Sequence, residues 1–263
     1  VLRVAAFNVN GIRAAVRRGF DSWLAGSDVD VLCLQEVRAP LDQIPVEALA
    51  GYHVAYHEGD QPGRAGVAVL SRKAPSAIRI GFGSAEFDRQ GRYLEVDLDG
   101  VTVGSLYLPK GDVGGEKLES KRRFMQELSA YAAFALGTAR SVGREFLVCG
   151  DFNIAPAEAD IKSWKTNLKT VGFLPHEREW IGELISNGFL VDVLRQLHPD
   201  RSGPYTWWSW RGKAFDNDAG WRIDHHLASE GLAGTAIAGW VERAADYRER
   251  ISDHAAVVVD YQV

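Results

Sequence analysis

The segment REFLVCGDFN, residues 144–153, sets an apolar run against a polar end, Gly150-Asp151-Phe152-Asn153. An unbroken run of this kind reads as a strand buried on both faces. An apolar core rejects the carboxylate and amide that follow, so they belong at the strand's edge. The same form occurs twice earlier. VAAFNVN (4–10) ends on Asn8 and Asn10, and VDVLCLQE (29–36) ends on Gln35 and Glu36. Strand ends are where layered α/β folds build their sites.

Working outward, LRVAAFNV (2–9), IRAAVRRGFDSWLA (12–25) and VDVLCLQE form a strand–helix–strand unit. Ile12, Val16, Phe20, Trp23 and Leu24 supply the helical spacing. Five short strands follow: YHVAYHE, AGVAVLSR, SAIRIGF, RYLEVDLDG and VTVGSLYLP, the last two joined as a hairpin at Asp99-Gly100. A helix is predicted over about 116–136, and 156–187 reads as mostly helical and amphipathic. TWWSW, WRIDHHLA, TAIAGWV and AAVVVDY read as strands. Many strands follow one another directly, which disfavours a simple doubly wound parallel sheet. The pattern predicts an α/β four-layer sandwich: two packed mixed β-sheets flanked by helices. No linker or low-complexity stretch divides the chain, which reads as one domain over 1–263.

The 263 residues carry 30 Lys+Arg and 35 Asp+Glu, a net charge of −5. That balance argues against a protein that holds nucleic acid by bulk charge, though not against local contacts. With 46% hydrophobic residues the composition is globular. Cys33 and Cys149 both lie in apolar runs and read as buried free thiols of a reducing compartment. No apolar run reaches the roughly 20 residues needed to span a bilayer, and the first residues read as a strand rather than a secretory signal.

The polar strand ends carry the chemistry. Taken alone, Glu36 reads equally as a solvated strand end or as a ligand for a hard cation, which keeps several of its waters. Asp151 follows Gly150, which permits close backbone approach, and Asn153 projects to the same side. Asp253-His254 precede the last strand, and Asp224 in WRIDHHL is a candidate to orient His254 and favour its charged form. There is no Walker loop, no zinc-type Cys/His spacing and no dinucleotide fingerprint. Carboxylates, amides, one His and one Tyr, without a nucleophilic Ser or Cys motif, suggest metal-assisted hydrolysis.

The ordered set FNVNGIRA, LQE, LYLPKG, GDFNIAP, YTWWSW…GWRIDHHLAS and SDHA resembles the exonuclease III family, the abasic-site endonucleases of base excision repair. The likeness runs over essentially the whole chain. It implies a Mg²⁺-dependent phosphodiesterase, with Mn²⁺ as a substitute. Such an enzyme cleaves 5′ to abasic sites and trims or dephosphorylates 3′ ends of duplex DNA. It is expected to act as a monomer in the cytoplasm, at the nucleoid, without a membrane. By that resemblance Glu36 is the principal metal ligand, with Asn8, Asp151, Asn153, Asp253 and His254 completing the metal environment. Asp151 activates the attacking water or protonates the leaving group, and Asn153 orients the water. His254, held by Asp224, contacts a phosphoryl oxygen, and Tyr107 stabilises developing charge. Asn10 and Lys110 contact substrate, while Trp207, Trp221 and Ile223 form the pocket for a flipped abasic sugar. The alternative is the same chemistry on a small phosphoester or phospholipid.

Two positions depart from the family pattern. Lys110 stands where an amide is usual, and His225 replaces a common aromatic. Three basic clusters are candidate DNA contacts: Arg13, Arg17 and Arg18; Lys117, Lys121, Arg122 and Arg123; Arg211 and Lys213. Phosphate contacts of this kind make binding fall with salt.

Overall fold

The computed structural model describes residues 1–186 and 189–263. Its strands are β1 (Leu2–Asn8), β2 (Val31–Gln35), β3 (His53–His57), β4 (Val67–Ser71), β5 (Ala77–Ile80), β6 (Tyr93–Leu98), β7 (Val101–Tyr107), β8 (Glu145–Asp151), β9 (Val191–Asp192), β10 (Asp224–Ala228), β11 (Ala236–Val241) and β12 (Val257–Tyr261). The helices are α1 (Ile12–Arg17), α2 (Phe20–Gly26), α3 (Glu116–Ser141), α4 (Pro175–Ile185), α5 (Val193–Leu197) and α6 (Glu230–Gly234).

The strands form two six-stranded sheets, ordered β11-β12-β1-β2-β4-β3 and β5-β6-β7-β8-β10-β9. Each sheet is mixed. The pairs β1/β2 and β7/β8 are parallel, and the remaining neighbours are antiparallel. Strand alternation explains the layering. Val4 and Ala6 of β1, with Leu147 and Cys149 of β8, face the core between the sheets. Their neighbours point outward: Ala5 and Phe7 pack with Phe20 and Leu24 of α2, while Phe146 and Val148 pack with Phe124 and Leu128 of α3. Both faces of both sheets are therefore covered, and the predicted four-layer sandwich is the fold. Cys33 and Cys149 are free and buried in the middle layer. Among the described residues, no helix is long and apolar enough to cross a membrane.

Three local expectations change. The helix expected over 12–25 breaks into α1 and α2 at Gly19, whose φ of 94° is left-handed and favours glycine. Of 156–187, only α4 is α-helical; Glu158–Asp160 and Trp164–Thr166 are single 3₁₀ turns, and residue 187 lies outside the described residues. The reason is polar competition with helical hydrogen bonding: Thr166 Oγ1 and Asn167 Nδ2 both donate to the Ser163 carbonyl. TWWSW is not a strand. It makes only bridges from Trp207 to Trp221 and His254, and it fills the gap between the ends of the two sheets.

Candidate active site

Topology brings the polar strand ends together. In the parallel pairs, Asn8 lies beside Gln35, and Tyr107 lies beside Asp151. Because β10 runs antiparallel to β8, its first residue, Asp224, also pairs with Asp151. Because β12 runs antiparallel to β1, the turn at 252–254 reaches the same edge, where Ser252 Oγ donates to the Asn8 carbonyl. These ends surround a cleft of about 310 Å³. Asn10, Glu36 and Asn153 line it with left-handed backbone, φ 47°, 50° and 50°. Such conformations cost ~1–3 kcal/mol each and persist only where surrounding contacts impose them.

The imposing contacts form one network. Asn8 Nδ2 donates to Glu36 Oε1 at 2.8 Å and to Asp151 Oδ2 at 2.9 Å. Its Oδ1 accepts the Asn10 backbone N–H at 3.0 Å. Only the amide nitrogen satisfies two carboxylate oxygens at once, so Asn8 ties the acids together and turns its oxygen away from them. Asn153 donates its backbone N–H to Asp151 Oδ1 at 2.8 Å and its Nδ2 to the Leu108 carbonyl at 2.9 Å. Asp253 accepts from Asn10 Nδ2 at 2.9 Å and from Trp207 Nε1 at 3.1 Å. His254 Nδ1 donates to Asp224 at 2.9 Å, and Asp224 also accepts the Thr206 hydroxyl at 2.6 Å. The other ring nitrogen, Nε2, lies 3.8 Å from Asp151 Oδ2.

Electrostatics then divides the roles. Burial pushes Asp151 up, the positive His254 pulls it down, and Asp224 and Glu36 raise it again, to about 7. Burial opposes the charge on His254, but Asp224 and then Asp151 outweigh it and raise the imidazole to about 10. His254 is therefore a cation at neutral pH. Burial and the Glu36 and Asp151 charges hold the Tyr107 phenol well above its usual range, despite Arg92 5.1 Å over its ring, so it stays an O–H donor. Burial works to raise Asp253, but His254, Trp207 and Asn10 outweigh it, and the carboxylate sits below its ordinary value.

Ligand atoms of Glu36, Asp151 and His254 lie within 4.8 Å of one another. Proximity admits all three, with His254 turning Nδ1 to Asp224 and only Nε2 toward the acids, 3.8 Å from Asp151 Oδ2. The oxygens of Glu36 and Asp151 are the donors suited to a hard cation. Burial, with a smaller contribution from Asp224 and Glu36, raises Asp151, and a cation would offset both the lost hydration and the crowded negative charge, so the residues fit a divalent ion. The arrangement can hold a cation, place a positive imidazole and a phenol beside it, and exchange a proton at Asp151.

Of the residues expected at the site, eleven line the cleft: Asn10, Glu36, Tyr107, Lys110, Asp151, Asn153, Trp207, Trp221, Ile223, Asp253 and His254. Asn8 and Asp224 lie fully buried beneath it. Trp207 and Trp221 meet edge to face, centroids 6.3 Å apart, and pack with Ile223 and Phe173. His225 does not reach the cleft; it is buried between Arg222 and the Ile154 carbonyl. Lys121, expected at a DNA surface, is fully buried and paired with Glu177 at 2.5 Å. The sequence reading missed Arg38, Thr170, Val171 and Gly172, which also line the cleft. The last three fall in the segment read as helix; the signal that could have found them is Gly172, whose φ is 93°.

With the fold and the acid–amide–imidazole cluster in place, the comparisons define the class. The chain belongs to the endonuclease/exonuclease/phosphatase family, whose model matches residues 5–254, and within it to the exonuclease III branch. Enzymes of this type are metal-dependent hydrolases. The chain is 32% identical to the exodeoxyribonuclease III of Haemophilus influenzae, over 99% of this chain and 100% of that protein. It is 34% identical to an exodeoxyribonuclease of Bacillus subtilis, over 88% of this chain and 89% of that one. Among solved structures, the Neisseria 3′ phosphatase NExo bound to a product DNA hairpin superposes with a TM-score of 0.91 at 29% identity. An AP endonuclease from Archaeoglobus fulgidus superposes at 0.89 and 30%. Each covers all of this chain and is itself wholly covered.

Proposed function

We propose that this protein is a Mg²⁺-dependent DNA repair phosphodiesterase. In this reading it cleaves duplex DNA 5′ to abasic sites and carries 3′–5′ exonuclease and 3′-phosphatase activity. It acts as a monomeric, single catalytic unit. The carrying observation is one cleft that joins two unlike walls. Glu36, Asp151, Asn153 and His254 form the polar one; Trp207, Trp221 and Ile223 form the apolar one. The first suits phosphoryl transfer, where positioning and charge stabilisation dominate. The second suits an extrahelical sugar without a base, which costs little to unstack. The relatives support the DNA substrate, since they include exodeoxyribonucleases and an AP endonuclease.

Mg²⁺, with Mn²⁺ as substitute, would be held by Glu36 and Asp151 and would neutralise phosphate charge near the scissile bond. Asp151, fixed by Asn8 and Asn153, moves the proton between its carboxylate and water or the leaving oxygen. Burial and the neighbouring acids raise its proton affinity in the metal-free site, which favours that exchange. His254 presents a charged N–H at Nε2 to a phosphoryl oxygen, and Asp224 holds it there. Tyr107 donates its phenolic hydrogen to developing negative charge. Asn10 and Asp253 fix Trp207 at the junction of the two walls. Lys110 adds a positive charge at the rim, where it meets the DNA backbone.

The test is cleavage of a duplex with a single abasic site, with Mg²⁺, with EDTA and with Asp151→Asn. The expected result is incision by the wild type with Mg²⁺ only, and loss in the variant. Undiminished cleavage by Asp151→Asn would remove the assigned mechanism, and no incision by the wild type would remove the substrate.

A further inference from the structure

One buried ion pair lies outside the network described above, yet three of its four side-chain hydrogen bonds to backbone run to residues of the cleft's wall. Lys121, on α3, and Glu177, on α4, are both fully buried, with Nζ and Oε1 2.5 Å apart. Lys121 Nζ donates to the carbonyls of Lys110, at 3.2 Å, and Asn153, at 3.0 Å. Glu177 Oε2 accepts the backbone N–H groups of Gly172, at 2.6 Å, and Leu174, at 2.9 Å. Lys110, Asn153 and Gly172 come from three separate segments, and each lines the cleft. The segments also touch one another. The Ala155 N–H donates to the Gly172 carbonyl at 2.8 Å. A Cβ built on Gly172 would stand 3.0 Å from the Asn153 oxygen and 3.3 Å from the Trp221 ring. A Cβ on Gly111 would meet both Lys121 and Val171 at 3.1 Å.

Stability alone does not account for the pair. Two buried charges lose their hydration, and apolar or neutral side chains of the same shape often serve the fold equally well. What such replacements lack is donors aimed at two carbonyls from below. We propose that Lys121 is a positioning residue, with Glu177 as its counter-charge. From inside the protein the pair sets where Asn153, Lys110 and Gly172 stand relative to Asp151 and the tryptophans. This rests on the nuclease reading above. Asn153 touches Asp151 through both its N–H and its amide. A shift of its backbone therefore moves the catalytic carboxylate itself, and misplacement of about 1 Å costs on the order of 100-fold in rate.

The test is Lys121→Met/Glu177→Gln, which removes the charges while the Gln keeps an acceptor for Gly172 and Leu174. Thermal denaturation is run beside steady-state kinetics on the abasic duplex with Mg²⁺. The expected result is a Tm within about 4 °C of wild type and kcat lower by roughly 10- to 100-fold. KM is expected to change less than about threefold. A merely structural pair would lower Tm and leave kcat of the folded fraction alone. Variant kcat within about twofold of wild type overturns the proposal. If the Met variant does not fold, Lys121→Gln/Glu177→Gln decides: a kcat loss of about fivefold or more supports the clamp, and a smaller one overturns it. An inactive wild type overturns the nuclease reading instead. In that case the clamp is judged by the tryptophan emission of the folded variant, which it predicts to be shifted because Gly172 packs on Trp221; an unshifted emission overturns it.

Discussion

Replacing Asp224 by Asn tests how the site uses charge. Asp224 is fully buried and accepts from His254 Nδ1 at 2.9 and 3.1 Å. The Asn variant keeps the shape and a hydrogen bond to Thr206, but it removes the charge that contributes most to keeping the imidazole protonated. Raising a His from its ordinary 6.5 to about 10 corresponds to ~4–5 kcal/mol of preference for the charged form. Without Asp224, burial acts against that charge with only Asp151 and Asp253 opposing it. The imidazole then becomes neutral within the physiological range. A charge-assisted hydrogen bond to a phosphoryl oxygen becomes a neutral one of about half the strength. Losing a donor of this kind from a transition state costs roughly 10²–10³ in rate, ~3–4 kcal/mol. The assay is kcat/KM on an abasic duplex with saturating Mg²⁺ from pH 6 to 9, paired with an NMR titration of the His254 ring in the metal-free protein. The wild-type ring is expected to titrate near 10. The variant is expected to lose ~10²-fold at pH 8 and to regain activity as pH falls to 6. The linkage has a definite sign. Because the folded value is raised, the pair stabilises fully below the unfolded His value and loses that contribution as pH rises toward 10. A variant with wild-type kcat/KM and an unchanged pH profile would refute the reasoning.

Other consequences follow from the same contacts. Asp151 is an acid raised to about 7, so in the metal-free protein its contribution to stability falls between pH about 4 and 7; added Mg²⁺ should therefore raise Tm more at pH 8 than at pH 5, and Glu36→Gln should abolish the difference. Gly150→Ala places a Cβ 2.2 Å from the Leu106 carbonyl at a φ of 138°. It should cost ~3 kcal/mol and lower Tm by about 6–12 °C, measured by calorimetry. Arg222 is buried between Asp160 and Asp192. Arg222→Met leaves both acids without it and should destabilise by ~3–5 kcal/mol in urea titration. Trp221→Ala opens the apolar wall and should lower kcat/KM for the abasic duplex by about 10- to 100-fold, the scale of 1–3 kcal/mol for apolar pocket contacts. It should leave the Mg²⁺ dependence in place.

The net charge of −5 reads differently once the site is assembled. Glu36, Asp151, Asp224 and Asp253 all lie in or beneath one cleft, where a charged His254 offsets them in part and a bound cation would offset them further. Acidity concentrated at a catalytic centre is compatible with a transient, salt-sensitive grip on DNA by exposed arginines elsewhere.

The sequence by itself determined eleven of the twelve strands among the described residues, though not β9, and the residue types at their ends. Strand alternation and unbroken apolar runs are local, so LCLQE and FLVCGDFN announce both a buried strand and the polar group that ends it. From Asn8 to His254 the chemistry was visible as a set. Lys121 misled because its neighbours Lys117, Arg122 and Arg123 look like a solvated helix face, and only the packing of α3 against α4 gives it a buried acid. Residues 156–174 misled because amphipathic spacing does not register the Ser, Thr and Asn side chains that take over backbone hydrogen bonds. Only tertiary structure decided that Asn8 turns its nitrogen to two carboxylates, that Asp224 charges His254, and that Thr170–Gly172 close the cleft. These are relations between residues up to 143 positions apart. They depend on which strands run parallel, and a one-residue slip in any pairing would turn those side chains to the opposite face.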